Sequence, residues 1–188
     1  MMENSDFDKN MLTSNRYYSK YLSIYKAVGY KVFLRYKNDI LYYSNKLRVD
    51  PEIVFFLITN EQINRGDFFT KIIEKFVAIF RPNLAIKKDI SIGLGQIKIS
   101  IANNATKRDV VPKQLLKPKW NIYCVAHIVK SMDYDDTCVE ECIPKIVTAY
   151  TIGNDSRIIT KEMYLYIKLS KWSYLNRYFH SLTQHMQN

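Results

Sequence analysis

Glu61 is the side chain whose type and position point most directly to chemistry. Helical spacing puts Val54, Leu57 and Ile58 seven, four and three residues before it, so the carboxyl group shares an apolar face with them. Glutamate is rarely buried without a use, and desolvation there raises its pKa. The helix macrodipole adds to the cost of ionising it, because Glu61 falls near the C-terminal end of its helix. Two uses fit. One is an ion pair with Arg65, one turn further on, or with another buried base. The other is an acid that stays protonated near neutral pH and donates its proton to a leaving oxygen, as glycoside cleavage requires. Other constellations are weaker. Cys124, His127, Cys138 and Cys142 could be written as a zinc site, but all four lie in sequence that reads as helix, where buried thiols are common. The run Asp133, Asp135, Asp136, Glu140 and Glu141 lacks the glycine of a calcium loop and reads as a solvated face. Neither a phosphate-cradling glycine loop nor a nucleophile elbow is present, so no cofactor and no metal is expected.

The elements that must position Glu61 are mostly helical. Asp50-Pro51-Glu52 combines an N-cap acceptor, a proline at the first helical position and an acid in the first turn; Arg65-Gly66 is a plausible stop. The nearly all-apolar helix between them is expected to run through the core. Before it, residues 14–48 are dense in tyrosine with interleaved Lys and Arg, and Tyr18, Tyr21, Leu22 and Tyr25 follow helical spacing. Such a stripe reads first as a packing face and second as a stacking surface for nucleic acid. After the core helix, Ile72, Ile73, Phe76, Val77 and Phe80 mark one side of an amphipathic helix that Pro82 ends. Residues 87–101 approach a period of two, with Gly93 and Gly95 between the apolar runs, and read as a small β-hairpin or irregular sheet. Residues 102–118 are polar loop or short helix, and helices recur around 120–132, 136–151 and 160–184. Residues 1–13 are polar and expected to fray, leaving 14–188 as one domain.

Composition narrows the class. With 47% hydrophobic and 24% charged residues and only 5 Gly and 5 Pro, fibrous, collagen-like and largely disordered classes are excluded. The formal net charge is +10, and residues 71–120 alone hold 11 basic against 3 acidic side chains. That stretch suits a polyanionic partner such as nucleic acid, an anionic membrane or bacterial cell wall, or is simply a solvated basic face. No helix-turn-helix, RNP or zinc-knuckle pattern supports specific nucleic-acid binding. Three cysteines are an odd number and argue against a disulfide framework. The longest apolar run, Ile53 to Ile58, is far too short for a membrane span, and the acidic stretch Met1 to Asn10, without an apolar core, does not read as a signal peptide.

Three segments, in order, then resemble those of a known family. Val49-Asp50-Pro51-Glu52-Ile53-Val54 leading to Asn60-Glu61, then Ile92-Gly93-Leu94-Gly95-Gln96-Ile97, then Val147-Thr148-Ala149-Tyr150-Thr151-Ile152-Gly153, resemble the lysozyme-like superfamily, its soluble lytic transglycosylases and goose-type lysozymes in particular. The likeness covers about residues 40–155. It implies a mainly α, α+β lysozyme-like fold: a helical catalytic domain with a core catalytic helix and one small β-hairpin beside a cleft. It also implies an enzyme that cleaves the glycan strand of bacterial peptidoglycan. Glu61 matches the family's catalytic acid; Gly93, Leu94 and Gln96 match the segment that shapes the sugar groove; Tyr150 matches the tyrosine that holds the acid or the sugar. Gln62, Gly95 and Thr151 depart from the family's Ser, Met and Asn. The 31 residues between Glu61 and Gly93 exceed the usual length, so the helix at 71–80 looks like an insertion.

Hydrolysis and transglycosylation differ in how many carboxylates act. An inverting hydrolase needs a second one about 6.5–9.5 Å from the acid, and a retaining enzyme places a nucleophile at about 5–5.5 Å. A lytic transglycosylase needs one glutamate, which protonates the leaving oxygen and then takes the proton of the sugar's own 6-hydroxyl. Asp89 is the best second carboxylate, with Asp67 and Glu74 behind it; Asp89 equally fits a turn residue accepting backbone N–H groups. The single-glutamate mechanism is the leading expectation, a goose-type muramidase assisted by Asp89 the alternative, and a non-catalytic glycan- or nucleic-acid-binding module the third. Expected partners are peptidoglycan and an immunity or inhibitor protein, without specific nucleic acid, for a chain acting as a monomer. A wall enzyme without a signal peptide would be made in the cytoplasm and reach the wall by phage-type release or specialised secretion.

Overall fold

A computed structural model describes residues 15–65, 68–132, 134, 138–152 and 160–185. Among them are ten helices and one small two-stranded antiparallel sheet. They are α1 (Asn15–Leu47), α2 (Pro51–Asn64), α3 (Phe68–Phe80), α4 (Pro82–Lys87), β1 (Ser91–Ile92), β2 (Ile97–Lys98), α5 (Ile99–Thr106), α6 (Pro112–Leu115), α7 (Pro118–Ser131), α8 (Val139–Ile152), α9 (Lys161–Leu175) and α10 (Tyr178–His185). The protein is thus mainly α with one hairpin, as expected. Among the described residues, no helix is long and apolar enough to cross a membrane. The expected fraying of 1–13, the acids Asp67, Asp133, Asp135 and Asp136, and Gly66 and Gly153 lie outside the described residues.

The start of α2 follows from its residue types. Asp50 sits in extended backbone and accepts the Glu52 N–H at 2.9 Å, while Pro51 needs no acceptor. Every residue from Glu52 to Asn60 is buried, so α2 is covered on all sides, by α1, α7, α9 and α10. Glu52 does more than sit in the first turn. Its two carboxyl oxygens accept the backbone N–H groups of Phe179 (3.1 Å) and His180 (2.9 Å), the unpaired donors at the start of α10. Burial pushes the Glu52 pKa up to about 7 against those hydrogen bonds, which pull it down.

The tyrosine stripe of α1 is a packing face: Tyr25 is fully buried, Tyr18, Tyr21 and Leu22 are half-buried, and Tyr25 meets Trp172 edge-on at 6.2 Å. The expected single helix over 160–184 is two, because Arg177 turns left-handed (φ 46°) between α9 and α10. In α3 the apolar stripe forms, but it faces out. Ile72, Ile73, Phe76, Ile79 and Phe80 are all exposed, while Glu74 and Ala78 point inward.

Candidate active site

Residues 93–96 form the turn between β1 and β2, where Ser91 pairs with Lys98 and Ile92 with Ile97. Side chains from three helices hold this turn. From α7, the fully buried Asn121 donates to the Ile92 carbonyl (2.9 Å) and the Leu115 carbonyl (3.0 Å) and accepts the Gly95 N–H (2.6 Å). From α8, the Tyr150 hydroxyl donates to the Gly95 carbonyl at 2.7 Å. From α3, Glu74 accepts the Gly93 N–H (2.8 Å) and Gln96 Nε2 (3.0 Å). The end of α2 joins them, for Gln62 Nε2 donates to the Leu94 carbonyl.

Both glycines are required. Gly93 has φ 84°, and a Cβ there would collide with the Leu115 carbonyl oxygen and the Asn121 amide. A Cβ on Gly95 would stand 2.6 Å from the Tyr150 hydroxyl and 2.7 Å from Val125 Cγ2. Gln96 adopts φ 46°, uncommon for a residue with a side chain; its amide, bound to Glu74 and to the Gly93 carbonyl (2.8 Å), offsets that strain.

Glu61 lies one residue before the Gln62 contact, where α2 leaves the core. Its partly buried carboxyl makes no side-chain hydrogen bond or ion pair among the described residues. Desolvation alone pushes its pKa up to about 7. Arg65, the cation expected one turn on, pairs instead with Glu74 at 2.9 Å. That ion pair neutralises the buried Glu74 while Glu74 holds the turn, so tertiary structure takes the local partner away from Glu61. Burial raises the Tyr150 hydroxyl well above its ordinary range, and the nearby Glu61 charge raises it further, so Tyr150 remains a donor. Glu52, also raised to about 7, has both oxygens occupied and is sealed in the core. Among the described carboxyl groups, Glu61 therefore combines raised basicity with an open coordination sphere.

Of the residues expected at the site, Glu61, Gly93, Gln96 and Tyr150 are brought together. The Leu94 side chain is buried, and only its carbonyl takes part. Asp89 is engaged elsewhere: left-handed at φ 45°, it accepts the Ser100 N–H (2.9 Å) and the Ser100 hydroxyl (2.6 Å), capping the first turn of α5. Neither Asn121 nor the anchoring role of Glu74 was anticipated. Asn121 carried a signal of the same kind as Glu61, a polar residue in an apolar helical stretch.

Gln96 and Tyr150 also line a cavity of about 110 Å³ with Ser91, Ile101, Ile128 and Ala149. Elsewhere, part of the basic stretch converges on aromatic surface. Lys117, Lys119, Trp120, Arg35 and Tyr43 line a groove of about 510 Å³ together with Asp39, which pairs with Lys119 at 3.9 Å; Tyr43 and Trp120 continue into one of about 240 Å³ with Lys46, Arg108 and Tyr123. No group of three or more metal-ligating side chains gathers among the described residues. Cys124 is buried, Cys138 exposed and Cys142 half-buried, with no disulfide, and His127 packs on Tyr123 at 4.4 Å. Set against known protein families, curated proteins and solved structures, the chain matches none of them.

Proposed function

We propose that the protein cleaves the β-1,4 glycan bond of peptidoglycan with Glu61 as its one acid and base, releasing 1,6-anhydro ends. The observation that carries this reading is the state of Glu61: unpaired, desolvated and poised near neutral pH beside the Gly93–Gln96 turn. The substrate class comes from the resemblance of the three ordered segments to lysozyme-like enzymes, and the basic aromatic grooves suit an anionic wall polymer. Protonated Glu61 gives its proton to the glycosidic oxygen as the C1–O bond breaks. The resulting carboxylate then takes the proton of the 6-hydroxyl, whose oxygen closes on C1, and Glu61 is protonated again. No held water is needed in that sequence. The engagement of Asp89 by Ser100 and of Glu74 by Arg65, Gly93 and Gln96 favours it over a two-carboxylate hydrolysis.

Mass spectrometry of muropeptides released from purified peptidoglycan tests both parts. Wild type is expected to give anhydro ends, and Glu61→Gln to lose at least about a hundredfold in activity with its fold intact. Reducing ends would favour the muramidase reading, and undiminished activity in Glu61→Gln would remove Glu61 from the chemistry.

A further inference from the structure

Helix α3 is turned inside out relative to an ordinary surface helix. At about 100° per residue, Ile72, Ile73, Phe76, Ile79 and Phe80 span an arc of about 120°. All five are exposed, Phe80 at 67% and Ile73 at 62%. The opposite side carries Glu74 and Ala78, which pack inward, and the main neighbours of α3 are the short helices α4 and α6. Leu84, on α4, extends the apolar surface. An exposed apolar patch of this kind marks an interaction site.

Charge identifies what it fits. Residues 68–88 contain five basic side chains, Lys71, Lys75, Arg81, Lys87 and Lys88. Their one acid, Glu74, is buried and paired with Arg65. Lys75 on α3, Arg81 between α3 and α4, and Lys87 and Lys88 at the end of α4 are all exposed, and long basic stems of this kind can lie along apolar surface while their charges stay in water. A helix of 13 residues is about 20 Å long, too short to span a bilayer of about 30 Å but suited to lying in its surface.

We propose that the outward face of α3, with Leu84, docks on the surface of an anionic lipid bilayer, the apolar side chains entering the interface and the basic side chains meeting the headgroups. This gives the outward face of α3 a function of its own, independent of the glycan reading.

Co-sedimentation of the full chain with phosphatidylglycerol-containing vesicles, against phosphatidylcholine vesicles, tests it. Wild type is expected to bind the anionic vesicles preferentially and to be released as salt is raised. The triple variant Ile73→Ser, Phe76→Ser, Phe80→Ser removes exposed side chains only; it should keep the wild-type circular dichroism and lose at least about tenfold in partitioning. Lys75→Glu with Lys87→Glu should weaken binding to anionic vesicles and leave the phosphatidylcholine background unchanged. Absence of binding by wild type, or equal binding by the serine variant, overturns the proposal. So does a vesicle-free dimer that the serine variant dissolves, which would assign the face to a second copy of the chain. Glu61→Gln should bind vesicles as wild type does, which separates this result from the fate of the glycan reading.

Discussion

Replacing Glu61 with Gln should make the protein more stable, and only above mildly acidic pH. Glu61 in the folded chain has its pKa pushed up to about 7 by burial, from an ordinary 4.5. The folded state therefore holds this proton more tightly than the unfolded state. Below pH about 4.5 both states are protonated and the group costs nothing. Between about 4.5 and 7 the unfolded chain releases the proton first, and wild-type stability falls as pH rises; above about 7 the full cost is present. The gap corresponds to about 3 kcal/mol as an upper bound, reduced because the side chain is only partly buried. Glutamine carries no charge at any pH. The variant's advantage should thus be near zero at pH about 4 and reach about 1–2 kcal/mol at pH about 8, or roughly 2–8 °C in Tm for a chain of this size. Glu52 titrates over the same window in both proteins and cancels in the difference. Urea unfolding followed by circular dichroism across that pH range measures it. A difference that is zero or negative at pH 8, or constant with pH, would mean that Glu61 has a cation or donor stabilising its charge, and would refute the unpaired acid.

Asp89→Asn should weaken the cap on Ser100 and cost about 1 kcal/mol in a urea titration while most glycan-cleaving activity remains. Glu74→Ala breaks a buried ion pair and frees the Gly93–Gln96 turn, so an unfolding free energy lower by about 3–5 kcal/mol is expected, with activity falling alongside. Gly95→Ala sets a methyl group against Tyr150 and Val125, and should cost about 1–3 kcal/mol in a thermal melt; Gly95→Ala combined with Tyr150→Phe should not recover it, because Val125 still obstructs.

Much of the candidate site's architecture was legible because its signals are local. The Asp50-Pro51 start, the period-two run around Gly93 and Gly95, and a lone acid at the end of an apolar helix each follow from neighbours within a few residues. What escaped was the choice of partner at long range. Spacing on a helix offered Arg65 to Glu61, yet Glu74, nine residues beyond Arg65, takes it. Glu52 read as an acid favouring its own helix, whereas its hydrogen bonds close a contact with residues 127 and 128 positions away. Amphipathicity marked the stripe on α3 but not its direction, since periodicity is the same whether a face looks toward the core or the solvent. The apolar surroundings of Glu61 had a similar limit: α2 is buried all round, and the site arises where it emerges rather than along one stripe.

The contact between Glu52 and α10 sets an order of events for a chain made from its N-terminus. At roughly 5–20 residues per second, residue 180 is added about 6–23 s after α2 is complete. Through that interval α2 lacks its cover from α9 and α10, and a hydrated Glu52, with an ordinary pKa of 4.5, keeps one end of an apolar segment charged. When Phe179 and His180 bring their N–H groups to it, the same carboxyl is sealed away with its pKa near 7. Forming this contact is thereby coupled to the uptake of a fraction of a proton near neutral pH.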